Sequence, residues 1–124
     1  MAGLRVDFGK IFSERLPNFP RADKLKIAEF IQHIKSFGFD GLKGRNKSSD
    51  NVPFDNPDWS KRVQYAQKHN LWHYHIGIPD YQESDKGDHT SEYVLHYIKG
   101  DDFIKIVDLS AHPPLHLPDA SYLQ

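Results

Sequence analysis

Two histidines separated by one residue, His73 and His75, stand in the segment Leu71-Trp72-His73-Tyr74-His75-Ile76-Gly77-Ile78. Side chains of an extended strand alternate between faces, so Leu71, His73, His75 and Gly77 share one side and Trp72, Tyr74, Ile76 and Ile78 the other. The second set reads as the core face. That leaves two imidazoles about 6–7 Å apart on the face turned away from the core. Imidazole titrates near neutral pH, so the pair suits a general base and a general acid. The same spacing suits a metal ion, and it is equally compatible with a half-solvated sheet that does neither. His96 falls on the next strand, in parity with Glu92, Val94 and Ile98, and the strand register decides whether it joins His73 and His75. His112 directly follows the last strand, where a strand end can aim a side chain into a cleft. His33 reads as a solvent-facing helix residue, and His69, His89 and His116 have no patterned context.

A second chemical feature lies upstream. The stretch Gly41-Leu42-Lys43-Gly44-Arg45-Asn46-Lys47-Ser48-Ser49 places three cations, two glycines and hydroxyl groups within nine residues. Cations beside exposed backbone N–H groups are what phosphate contacts require. It is not a nucleotide-binding P-loop, because it follows a helix and lacks the Gly-Lys-Ser/Thr ending. Trp72 and Tyr74 belong to the core, whereas Tyr81 in a loop and Tyr122 in the tail read as free to stack on a base.

The elements that must position these residues follow from periodicity. Residues 4–12 alternate imperfectly and predict a short opening strand. Residues 20–37 carry Leu25, Ala28, Ile31 and Ile34 at three-residue steps, widened by Ile27, Phe30 and Phe37, and predict an amphipathic helix. Pro20 suits its start and Gly38 its C-terminal cap. Residues 39–54 read as an exposed loop. Asn56-Pro57-Asp58 opens a second helix, to about Lys68, with Trp59, Val63 and Ala66 inward. Three strands follow at 71–78, 91–99 and 103–109, with a polar loop at 79–90 and a hairpin turn at Lys99-Gly100-Asp101-Asp102. The expected fold is α+β: an N-terminal strand and two helices packed on a small antiparallel sheet. A proline-rich tail spans residues 111–124.

Length bounds the rest. The 124 residues suit one domain, and 38% apolar with 13% aromatic content suffices for one core. Cysteine is absent, which removes disulfides, thiolate metal sites and cysteine nucleophiles and fits a reducing compartment. No apolar run reaches signal-peptide or membrane-spanning length, so a soluble, cytoplasmic protein is expected. The net charge of −1 hides an asymmetry. Residues 1–68 hold 13 Lys or Arg against 8 Asp or Glu, a balance of +5, and residues 69–124 hold 3 against 9, a balance of −6. A basic front half can meet phosphate, and an acidic back half can offset it or meet a basic partner.

The helix followed by Gly44-Arg45, then His73-Tyr74-His75-Ile76, Thr90-Ser91-Glu92-Tyr93-Val94-Leu95-His96-Tyr97, and Ile104-Lys105-Ile106-Val107-Asp108-Leu109 leading to His112, resembles the RelE/ParE superfamily of small toxins. The likeness is greatest to its YafO-type branch of mRNA interferases and covers roughly residues 25 to 112. The resemblance implies a RelE-like domain and a toxin of a toxin–antitoxin pair. Such a toxin is an endoribonuclease that cleaves mRNA, usually on the ribosome, with no metal and no cofactor. It implies an antitoxin protein as partner. In that setting His73, His75, His112 and Arg45 are the expected catalytic set. His75 is the preferred base, His112 or His73 the acid, and Arg45 with Lys43 or Lys47 the charge stabiliser. Lys43, Lys47, Tyr81, His96 and Tyr122 are the expected RNA contacts. Three other readings stand beside it: a non-catalytic protein-binding domain of the same fold, a metal-binding domain using His73, His75 and His112, and a member acting on gyrase.

Overall fold

The computed structural model describes residues 3–50, 54–84, 87–112 and 117–124. Its elements run β1 (Arg5–Phe8), α1 (Lys10–Arg15), α2 (Arg21–Phe37), β2 (Asn46–Ser48), α3 (Trp59–Lys68), β3 (Leu71–Ile78), β4 (Gln82–Glu83), β5 (His89–Thr90), β6 (Tyr93–Lys99) and β7 (Phe103–Ala111). Short 3-10 turns occupy Leu16–Asn18 and Ala120–Leu123. The fold is α+β. Five strands form one sheet in the order β1-β7-β6-β3-β2, and β4 and β5 form a separate ribbon. Among the described residues no helix is long and apolar enough to cross a membrane.

The β3-β6-β7 meander is as expected, but the sheet around it is larger and mixed. β1 pairs in parallel with β7, and β2 pairs antiparallel with β3. Both additions are four residues or fewer and lie in segments without strong alternation. They form because the outer edges of β7 and β3 present backbone N–H and C=O groups that need partners. α1 was not anticipated: Ile11 and Phe12 read as a continuation of β1, whereas the chain turns into a helix at Lys10 and buries Phe12 completely. The polar loop at 79–90 likewise contains the β4-β5 ribbon.

α2 covers one face of the sheet. Its buried seam is Ile27, Phe30 and Ile34 with Ile31 half-buried, against Tyr74, Ile76, Leu95, Tyr97, Ile104 and Ile106. Phe30 stacks on Tyr74 with ring centroids 4.7 Å apart. The seam follows the i, i+3, i+4, i+7 rule, but it is rotated from the predicted stripe. Leu25 and Phe37 are 55% and 57% exposed, and Ala28 faces solvent. The helix ends at Gly38, whose N–H donates to the Ile34 carbonyl; its φ +63°, ψ −134° is not the left-handed helical cap expected but another positive-φ conformation that favours glycine. α3 begins two residues later than expected, because the Asn56 side chain accepts the Asp58 N–H in a preceding turn.

The opposite face of the sheet is not open. Leu71, Val94 and Val107 are buried on it, and α3 packs against β3 with Ala66 buried. The tail adds to this cover. Tyr65 of α3 donates its hydroxyl to the Pro118 carbonyl at 2.7 Å, the Lys10 N–H donates to Gln124 at 2.7 Å, and Lys105 Nζ donates to Leu123 at 2.8 Å. Residues 117–124 are thus tied to α1, α3 and β7. His73 and His75 on this face are buried, with exposures of 4% and 6%, which sets aside the alternative of a half-solvated pair. Alternation along β3 distinguishes the two faces, but it cannot reveal that a remote helix and the chain end cover the second.

Candidate functional site

Three of the four candidate catalytic side chains form one cluster. His73, His75 and His112 each offer a ring nitrogen, and the three nitrogens lie within 4.8 Å of one another. Ring centroids are 6.0 Å apart for His73 and His75, 5.5 Å for His73 and His112, and 5.4 Å for His75 and His112. β3 supplies the first two by alternation. The Ala111 end of β7 delivers the third, and the His112 N–H donates to the Glu92 carbonyl at 2.7 Å. The register also resolves the question of His96. It pairs directly with His73, on the histidine face, with ring centroids 6.4 Å apart. It is fully buried and bonded to Ser110 Oγ at 2.7 Å, so it supports the cluster from beneath and offers no surface for RNA, contrary to expectation.

A bulge in the β3-β6 ladder sets the direction of His75. The register shifts between His75 and Ile78, where Gly77 takes φ +80°. Ser91 fills the bulge. Its Oγ accepts the Gly77 N–H at 3.1 Å and donates to the Tyr93 carbonyl at 2.8 Å, while its own backbone faces the His75 ring. Nδ1 of His75 lies 3.0 Å from the Ser91 N and 2.9 Å from the Ser91 O. When Nδ1 accepts from the N–H, Nε2 carries a proton it can donate; when Nδ1–H donates to the carbonyl, Nε2 is a free base. The backbone of one residue thus accommodates both tautomers, and also the cation. His73 is anchored at Nδ1 by Ser49 Oγ at 2.9 Å. For Nδ1 of His112 there is no hydrogen-bond partner among the described residues.

Burial is the main electrostatic influence on all three rings. It lowers the His73 pKa to about 3, helped by His96, His112, His75 and Lys47. The His75 pKa is lowered by burial, partly offset by the Ser91 backbone, and that of His112 is lowered by burial and by the Arg45 charge. His75 and His112 line a cleft of about 420 Å³ with Arg45, Gln82, Thr90, Ser91 and Glu92, whereas His73 lies deeper. A second hollow of about 490 Å³, between α3 and the tail, holds Asp58, Lys61, Tyr65 and Asp119 but no histidine.

Arg45 reaches the cleft because Gly44 lets its loop lie against the edge of β3. The Arg45 carbonyl accepts the His75 N–H at 2.9 Å, its N–H donates to His89 at 2.7 Å, and the Gly44 N–H donates to the Tyr74 hydroxyl at 3.1 Å. A Cβ on Gly44 would stand 1.8 Å from the His75 carbonyl oxygen. Gly44→Ala is therefore expected to push the loop off the strand and destabilise the fold by about 1–3 kcal/mol, measurable by urea denaturation. The Arg45 guanidinium is held by Asp88 through two bonds, Nε to Oδ2 at 2.9 Å and Nη2 to Oδ1 at 3.0 Å. Hydrogen bonds from Arg45 and Ser84 hold the Asp88 carboxyl well below the usual carboxylate range.

The expected RNA contacts are scattered. Lys47 pairs with His73 across β2-β3 and flanks the cluster. Lys43 instead lines a groove beside α2, with Nζ 5.0 Å from the Tyr81 ring centroid. Tyr81 is not free to stack on a base: it is half-buried, its hydroxyl lies 2.9 Å from that of Tyr74, and burial raises its pKa. Tyr122 belongs to the terminal 3-10 turn, half-buried, with its carbonyl beside Gly9. His116 lies outside the described residues. Ser49, read in the sequence only as a hydroxyl of the phosphate-contact loop, instead holds His73, and the parts of Ser91 and Asp88 carry no local signal because each acts through a partner remote in sequence. No protein-family model, curated protein or solved structure matches the chain.

Proposed function

We propose that this domain is a metal-independent endoribonuclease of the RelE/ParE type, close to the YafO-like interferases. In this reading it is the toxin of a toxin–antitoxin pair and cuts mRNA on the ribosome. The observation that carries the reading is that His75, His112 and Arg45 line one cleft. Cleavage by the ribose 2′-hydroxyl needs one group to take its proton, one to protonate the departing 5′ oxygen, and a cation for the added phosphorane charge. His75 takes the proton at Nε2 while its Nδ1–H rests on the Ser91 carbonyl. His112 gives a proton to the 5′ oxygen. A bound phosphate raises the pKa of this ring, which burial and Arg45 lower in the free protein. Arg45 meets the non-bridging oxygens as Asp88 releases it. The O2′–P bond forms, the P–O5′ bond breaks, and the products end in a 2′,3′-cyclic phosphate and a 5′-hydroxyl. His73, neutral and deep, orients the pair and does not touch RNA.

Induced expression in bacteria tests this reading, with growth and mRNA 5′ ends read for the wild type and for the His75→Ala and His112→Ala variants. Growth arrest with new 5′-hydroxyl ends, absent in both variants, is the expected result. A wild type that is harmless and cuts no transcript removes the reading.

A further inference from the structure

The same three imidazoles have a second capacity. We propose that His73, His75 and His112 form a binding site for a zinc-type transition-metal ion, and that its occupancy switches the cleft off. The regulatory half of this inference rests on the nuclease reading; the metal site itself does not.

The donor set is three imidazoles with no carboxylate, which selects zinc, cobalt, nickel or copper over magnesium or calcium. Three histidines with one position left open is the pattern of a non-structural zinc site. The nitrogens already lie within 4.8 Å of one another. Tetrahedral zinc with Zn–N bonds of about 2.0–2.1 Å needs them about 3.4 Å apart, so the widest pair closes by roughly 1.5 Å, within reach of small χ rotations. Two of the rings already have the supporting contacts that metal ligands use. Nδ1 of His75 can donate to the Ser91 carbonyl and Nδ1 of His73 meets Ser49 Oγ, which leaves Nε2 of each as the lone-pair donor. The third ring, His112, has a buried Nδ1 with no partner among the described residues, so no hydrogen bond at that nitrogen holds it back. Two of the three ligands, His75 and His112, line the cleft with Arg45, Gln82, Thr90 and Glu92, so an ion held by them would sit at the cleft wall. An ion there removes the lone pair of His75 and the proton of His112 from the reaction.

Titrating Zn²⁺ into chelator-treated protein by calorimetry tests the site, and RNA cleavage at each Zn²⁺ concentration tests the switch. The expected result is one ion per chain, with Kd in the micromolar range or tighter. Affinity should fall at least about tenfold in each of His73→Ala, His75→Ala and His112→Ala and stay unchanged in His33→Ala. Cleavage should fall in step with occupancy, return on adding EDTA, and be insensitive to Mg²⁺. If an alanine variant fails to fold, Co²⁺ added to the wild type gives the second readout. Tetrahedral d–d absorption displaced by Zn²⁺ supports the site, and an octahedral spectrum overturns it. Absence of saturable Zn²⁺ binding, or binding that survives His112→Ala, also overturns the site. Binding that leaves cleavage unchanged or raises it overturns the switch. A protein that binds Zn²⁺ as expected but never cleaves RNA, with or without EDTA, keeps the metal site and loses the nuclease reading.

Discussion

Replacing either His75 or His112 by alanine is expected to lower the single-turnover rate of RNA cleavage by about 10²–10⁴-fold. The double variant should lose little beyond the worse single one, because base and acid serve the same displacement and their effects do not add. The two rings differ in what else they do. His75 is 6% exposed, and its Nδ1 lies against both the N–H and the C=O of Ser91, so His75→Ala also leaves a buried backbone polar group without its partner. That loss costs about 1–3 kcal/mol of stability. His112 sits at the end of β7, half-buried, with its backbone N–H on Glu92 and no partner for Nδ1 among the described residues. His112→Ala is therefore the cleaner variant, with a rate loss as large and little loss of stability. Rates should be read together with denaturation midpoints. Variants that stay folded and cleave within about threefold of the wild type would exclude the acid–base pair. Loss of cleavage that tracks loss of folding would point to a structural role alone.

Much of this site can be read from the sequence because its strongest signals are local. Period-two alternation over Leu71–Ile78 places His73 and His75 together, and the hairpin turn at Lys99 to Asp102 fixes β6 and β7 as neighbours. Strand order alone does not say which face His112 takes at the end of β7; the observed register brings it to His73 and His75. The face that α2 covers is less legible. Leu25, Ala28 and Phe37 fit a helical stripe as well as Ile27 and Phe30 do, and only contact with Tyr74 and Tyr97 selects the second set. Least legible are the features made of remote partners. The opening strand is legible but its parallel pairing with β7 is not, β2 exists because β3 has an edge to pair, and Asp88 matters because Gly44 brings Arg45 to it. Tyr81 illustrates the opposite error. A loop position suggested a free ring, yet the ring packs against the Gly77 backbone with its hydroxyl on Tyr74, a contact set no local pattern encodes.

Arg45→Ala should reduce the rate of the cleavage step by about 10²–10³-fold, the loss typical of one preorganised group facing transition-state charge. The guanidinium is already oriented before RNA arrives: Asp88 holds it in a two-bond fork at 2.9 and 3.0 Å, and its backbone is fixed between His75 and His89. A phosphorane presents a similar pair of anionic oxygens, so it can take over the fork that the carboxylate vacates. Lysine offers one point charge and no fork, and Arg45→Lys should recover only part of the lost rate. Asp88 then has two opposed effects. It aims the guanidinium, and it competes with the substrate for it. Asp88→Asn separates them, since the amide keeps an acceptor for Arg45 but loses the charge. The expected signature is a lower KM, from weaker competition, with kcat lowered because the fork is less firmly aimed. A rise in KM with kcat unchanged would mean that Asp88 helps to bind RNA, and would remove the view of Arg45 as a group held in readiness by its own counter-ion.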